Sequence, residues 1–169
     1  MITEIRGGNN VKRFHTTYRA QEETVGQHSA NVAALLLRLD PSCSRNLLIC
    51  ALMHDIPEQY TGDVPAPFKW DHPDIKSGLA EGEQAYMAKH DIPYPELTLA
   101  EAKLLKVADM VDLVLSSMEE WGRGNESARD LIDNGAAHLA GMDLSEDLKA
   151  VIHGMVTEVK VKWRLMTGK

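Results

Sequence analysis

Cysteine is scarce in this chain of 169 residues. Cys43 and Cys50 do not form a close Cys-x-x-Cys pair, so a disulfide framework is not expected and both read as buried free thiols. Aromatic residues make up only 5%, while alanine, leucine, methionine and valine abound, a balance that favours helix over sheet. No apolar run is long enough to cross a bilayer, and the opening MITEIRGGNN lacks the basic-then-apolar layout of a signal peptide. A cytoplasmic protein with no membrane partner is therefore expected. Basic charge is also short. The formal net charge is −7 and no basic stripe is visible, so a nucleic-acid partner is not expected. An acidic protein that handles phosphates must overcome repulsion with a few placed cations. Arg13, Lys69, Lys106 and a bound metal are the candidates.

What remains is an ordinary globular composition, 44% hydrophobic and 25% charged, long enough for one domain over residues 1–169 with a sizeable core. Residues 1–21 carry weak signals. Gly7-Gly8-Asn9-Asn10 reads as a loop, and Val11 to Tyr18 as a short helix or an irregular arm. Glu23 to Leu39 is helical, with His28 on the apolar stripe of Val25 and Val32. Ser44 caps a second helix that runs to about Ile56, where Pro57 cannot donate. Tyr60 to Pro73 reads as a loop, and Ile75 to His90 as a helix interrupted by glycine. Thr98 and Glu101 form a capping box that opens the strongest helix, Leu99 to Trp121. Glu126 to Leu139 and Ser145 to Met166 complete an all-α, single-domain helical bundle. Trp70 and Trp121 read as core or interface residues.

The chemistry concentrates between Leu47 and Asp63, LLICALMHDIPEQYTGD. An apolar helix ends at His54-Asp55, where unpaired carbonyls and the negative end of the macrodipole gather. An aspartate is disfavoured there unless a cation neutralises it. Glu58 follows one turn on, Asp63 lies just past a Thr-Gly turn, and His28 and Asp109 stand on other helices with apolar faces. Two imidazoles and two carboxylates make a first shell for a divalent transition metal such as Co, Mn, Zn or Fe. Taken singly each residue has a blander reading, as a core histidine or a solvated acid; together they point to a metal. His-Asp-Ile-Pro recurs at His90 but leads only into a proline-broken connection.

In order and context these segments resemble the HD-domain phosphohydrolases, and within them the small 5′-deoxynucleotidase-like branch. The likeness runs from about Arg13 to Trp121. It rests on Arg13-Phe14, on Glu23-Thr24-Val25-Gly26-Gln27-His28, on His54-Asp55-Ile56-Pro57-Glu58, on Thr61-Gly62-Asp63-Val64-Pro65 and on Lys106-Val107-Ala108-Asp109. The resemblance implies that His28, His54, Asp55 and Asp109 hold one divalent metal, with Mg a further candidate for a polyphosphate substrate. It implies that Glu58 and Asp63 orient or deprotonate the attacking water and assist proton transfer, and that Arg13 holds the reacting phosphate. Phe14 stands where related enzymes carry tryptophan, placed to pack on a deoxyribose and leave no room for a 2′-hydroxyl.

The expected activity is metal-dependent hydrolysis of 2′-deoxynucleoside 5′-phosphates. The compact chain and the short span from Asp55 to Asp109 look like a phage-type branch that hydrolyses dATP to deoxyadenosine. Lys69 and Lys106 would then bind the β- and γ-phosphates. The alternative is a 5′-deoxynucleotidase acting on monophosphates with broad base tolerance. A catalytically idle metal-binding or nucleotide-sensing module would be expected to lack Glu58, Asp63 or a ligand, and all are present. Phosphodiesterase action on cyclic dinucleotides or nucleic acid would call for further histidine ligands and a basic surface. Exposed apolar helix faces point to a homo-oligomer.

Overall fold

The helix-favouring composition is realised as nine helices among the described residues: α1 (Ile2–Asn9), α2 (Val25–Leu39), α3 (Arg45–Met53), α4 (Glu58–Thr61), α5 (Ala66–Asp71), α6 (Pro73–Lys89), α7 (Leu99–Gly122), α8 (Ala128–Gly141) and α9 (Glu146–Thr167). The computed structural model describes residues 1–167, except for the side chains at positions 67, 70, 166 and 167. No strand occurs among them; a single antiparallel bridge joins Lys12 to Thr24. Trp70, expected in the core or at an interface, has its side chain outside the described residues.

Helix α7 is the axis of the bundle. Thr98 Oγ1 accepts from the Glu101 backbone N–H, and the Glu101 carboxylate accepts from the Thr98 N–H, so the expected capping box is present. On one side α7 packs with α8 and α9 through Val107, Val111, Val114 and Met118. On another it packs with α2 and α3 through Leu105 and Ala108, against Val32, Leu36, Leu47, Cys50 and Ala51. A third, small cluster of Ile56, Met87 and Ile92 joins α6 to the end of α3 and receives Ile5 from α1. Every helix that carries a candidate ligand therefore borders this apolar interior. Burial removes those side chains from water and leaves little rotational freedom at the site.

The N-terminal reading needs correction. Gly7, Gly8 and Asn9, expected in a loop, belong to α1. A Cβ on Gly8 would come within 2.6 Å of the Ile56 carbonyl oxygen and 2.9 Å of its Cα. Glycine lets α1 press directly on the backbone beside His54-Asp55, and that close approach outweighs its poor helix propensity. Tyr60 to Pro73, also expected as loop, contains the end of α4 and all of α5. The segment from Val11 to Tyr18 is an irregular arm rather than a helix. Cys50 is buried and Cys43 half-buried, both free. Trp121 is 49% exposed, so it is no core residue.

Candidate active site

Three helices bring the expected ligands to one place. Thr24 caps α2, with the reciprocal Gln27 contact in place, and His28 follows one turn later with no exposed surface. Ser44 caps α3, which ends at His54; the chain turns at Asp55-Ile56-Pro57 and restarts at Glu58. Asp109 comes from the middle of α7. Ligand atoms of His28, His54 and Asp109 all lie within 4.8 Å of one another. Asp55 Oδ2 is 3.5 Å from His28 Nε2 and 3.3 Å from His54 Nε2, so all four expected ligands converge.

The two imidazoles show what the site is built to hold. His28 Nδ1 is 2.7 Å from Asp112 Oδ2, and His54 Nδ1 is 2.9 Å from the Ala51 carbonyl oxygen. Both partners are acceptors, so each Nδ1 carries the hydrogen and each Nε2 turns a lone pair inward. Both Nε2 atoms are buried without a hydrogen-bond partner. Leaving two buried lone pairs against two carboxylates is costly, and a divalent cation removes the cost. The donor set therefore fits a first-row ion with borderline ligand preference.

Without an ion the same crowding acts on protons. Burial works against the His28 imidazolium, but the facing carboxylates of Asp109 and Asp112 outweigh it and raise its pKa to about 9. Burial would likewise raise Asp109, yet the His28 ring, Lys106 and His54 hold its carboxyl far below the usual range. Lys106 Nζ, on the rim, donates to Asp109 Oδ2 at 2.7 Å. Glu58 moves the other way. Its Oε2 is buried without a partner, and burial together with the Asp55 and Asp63 charges pushes its pKa up to about 9. Arg13 and Lys69 pull against that rise.

The arm is fastened beside this centre. Arg13 N–H donates to the Glu23 carbonyl and Val25 N–H to that of Val11. Asp63 Oδ2 accepts the Phe14 N–H at 2.8 Å, at a residue whose φ of 55° lies in the left-handed region. One oxygen of Asp63 is thus committed to the arm. The guanidinium carbons of Arg13 and Arg19 lie 5.0 and 4.3 Å from the centre of the Phe14 ring, within cation–π range. Arg13 Nη1 also pairs with Glu23 Oε1.

Sequence reasoning missed the layer behind the ligands. Asp112, three residues beyond Asp109 on α7, is 4% exposed and holds His28. Glu23, just before α2, receives Arg13, Arg19 and Ser116. Glu120 takes the Ala20 and Gln21 N–H groups and anchors the far end of the arm. The three-residue step from Asp109 to Asp112, on one helix face, was the available signal. A cleft of about 600 Å³ between α2 and α7 has Glu23 and Asp112 in its wall. It lies on the Nδ1 side of His28, away from the inward-facing lone pairs.

Comparison with known proteins gives a family and a fold. The profile of a family described as 5′-deoxynucleotidase YfbR-like matches residues 2–159. A 5′-deoxynucleotidase of Vibrio vulnificus (strain YJ016) is 27% identical over 138 residues, covering 68% of this chain and 71% of that one. Among solved structures, an HD-domain phosphohydrolase of Listeria innocua superposes with a TM-score of 0.73 at 22% identity, over 99% of this chain and 89% of the other. The cyanophage S-2L HD phosphohydrolase DatZ, solved with dA and one catalytic Zn2+ ion, superposes at 0.71 with 17% identity, over 97% and 96%. At these identities the superpositions establish a shared fold.

Proposed function

Because the chain belongs to the YfbR-like 5′-deoxynucleotidase family of HD-domain hydrolases, we propose that it cleaves the bond between phosphorus and the 5′-oxygen of 2′-deoxynucleoside 5′-phosphates. The observation that carries this reading is the pair of buried, partnerless Nε2 atoms facing Asp55 and Asp109. His28, His54, Asp55 and Asp109 would hold one divalent ion, with Zn, Co, Mn and Fe as candidates and Mg for a polyphosphate substrate. Such an ion supplies Lewis-acid polarisation of a phosphoryl oxygen and lowers the pKa of a water molecule.

The chain's own residues supply the rest. Glu58, with one buried carboxylate oxygen free of partners, would be ionised once a bound cation offsets the Asp55 charge, and would then take a proton from the attacking water and return it to the departing 5′-oxygen. Asp63 assists through its remaining oxygen and keeps Phe14 in place. Arg13, held at the site by Glu23, binds the reacting phosphate through its guanidinium. Phe14 packs on the deoxyribose. Lys106, paired with Asp109, and Lys69, whose charge is felt by Glu58, would meet any further phosphates.

Two substrate lengths fit this one bond cleavage. Deoxynucleoside monophosphates give phosphate, the reading favoured by the family description. dATP (with dADP and dAMP) gives deoxyadenosine and, from the triphosphate, an intact triphosphate, as in a phage nucleotide-pool role. The fold likeness to the phage enzyme brings in that second reading; Lys69 and Lys106 suit either substrate length. The test is a panel of dNMPs, dNTPs and ribonucleotides with Mn, Co, Mg and Zn, scored for phosphate, pyrophosphate and triphosphate. Triphosphate from dATP alone selects the phage-type activity. Phosphate from many dNMPs, with dNTPs untouched, selects the monophosphatase. No release from any deoxynucleotide with any metal ends the proposal.

We also propose a homo-oligomer, on the apolar surface left at one end of the bundle. Trp121, Val161 and Leu165 are 49%, 49% and 82% exposed, and the end of α7 meets α9 where Gly122 faces the Trp163 ring. Light scattering after size exclusion measures the mass directly. The proposed partner is a small deoxynucleotide, in a cytoplasmic setting; no described helix is long and apolar enough to cross a bilayer.

A further inference from the structure

The two faces of one imidazole are treated differently, and from that difference the structure assigns Asp112 as a positioning residue that fixes His28 for metal binding and links it to the arm. Asp112 sits one helical turn beyond Asp109 on α7, so one helix presents a carboxylate to each side of the His28 ring. Asp109 Oδ1 is 3.3 Å from Nε2, and Asp112 Oδ2 is 2.7 Å from Nδ1. The same Asp112 oxygen lies 3.9 Å from Arg13 Nη1. One buried carboxylate thus stands between a metal ligand and the residue assigned to phosphate.

A rival reading makes Asp112 a ligand itself, since Glu23, His28 and Asp112 also bring ligand atoms together. Charge balance argues against an ion there. Glu23 Oε1 already receives Arg13, and Glu23 Oε2 receives Arg19 Nη2 and Ser116 Oγ. Two guanidiniums neutralise the two carboxylates of this cluster. On the opposite face Asp55 and Asp109 have Lys106 as their one paired cation among the described residues, and both Nε2 atoms lack a partner. The cation belongs on the Nε2 side, and Asp112 acts through the ring.

The physical role is orientation. By accepting the Nδ1 hydrogen, Asp112 selects the tautomer whose Nε2 lone pair faces inward, holds the ring plane and strengthens the donor nitrogen. Ala51 O does this for His54, but a backbone carbonyl is neutral and cannot be removed by mutation. His28 is therefore the ligand whose support is testable.

This assignment rests on the metal centre proposed above, and its test reads metal binding without turnover. Zinc affinity is measured by chelator competition for the parent, D112N and D112A, with unfolding curves of the metal-free proteins as the control for folding. The His28 Nδ1–H proton of the zinc-loaded proteins is followed by NMR. Roughly 10–100-fold weaker zinc binding is expected in D112A, with the slowly exchanging Nδ1–H signal lost. In the isosteric D112N, which preserves volume should D112A not fold, affinity falls at least about tenfold, within the same range. Parent-like affinity with an intact proton signal in a folded variant overturns the assignment alone. A parent that binds no zinc, cobalt or manganese overturns the metal centre and this assignment together.

Discussion

Glu58 and Asp109 are carboxylates pushed in opposite directions by one cavity. Asp109 faces cations and stays ionised; Glu58 faces Asp55 and Asp63 and, in the metal-free protein, holds its proton. Opposed shifts of this kind mark proton-handling groups. Replacement E58Q keeps the shape and removes the exchangeable proton. Turnover is expected to fall by about 100–10,000-fold while zinc affinity stays near the parent value, as single-turnover assays and chelator competition would show. Glu58 also sets a pH dependence in the metal-free protein. Its folded pKa of about 9 lies above the ordinary value of 4.5, so the folded state binds the proton more tightly. That contribution is complete below 4.5 and fades as pH rises through about 9. His28, raised from 6.5 to about 9, acts in the same direction over the upper part of this range. In chelator the melting temperature should therefore drop between pH 6.5 and 9, and drop less in E58Q. A parent and an E58Q variant with parallel profiles would remove Glu58 from the account.

At the scale of elements, caps and close approaches decide where the ligands stand. Thr24 starts α2 one turn before His28, so T24A should destabilise the protein by about 1 kcal/mol, read from urea unfolding, and weaken zinc binding through a frayed first turn. G8A would set a Cβ against Ile56 backbone that cannot yield without moving α1. A loss of about 1–3 kcal/mol is expected, with weaker zinc binding because Ile56 adjoins the His54-Asp55 pair. These two positions also show what the sequence makes legible. The Thr24 and Thr98 caps, the Pro57 stop and the apolar stripes of α2, α3 and α7 are local patterns, and the helices they predict are present within a few residues. Helix α1 was hidden because Gly7-Gly8 signals a loop unless the surface it presses on is known. His28, His54, Asp55 and Asp109 were legible through type and order. Asp112 and Glu23 were not, because an acid beside a helix stripe looks solvated until the neighbouring helix covers it.

Over the whole molecule, the proposed ion would act as a cross-link among α2, α3 and α7, joining helices whose apolar contacts already meet in one core. Binding to the folded state alone stabilises by mass action, about 2.7 kcal/mol at a hundredfold excess over Kd. Adding zinc to chelated protein should therefore raise the melting temperature in a concentration-dependent way, and a change without that dependence would point to an indirect effect. The arm that carries Arg13 and Phe14 is secured largely through backbone groups: the N–H groups of Arg13, Phe14, Ala20 and Gln21 donate, and the Tyr18 carbonyl accepts from Asn125. Its tip, His15 to Tyr18, is exposed. Thr17 Oγ1 donates to the Phe14 carbonyl; fastening by main chain leaves the other tip side chains free to vary. Selectivity among nucleotides can then drift or be engineered there, in libraries screened for altered preference, while the phosphorus-cleaving apparatus beneath stays as it is.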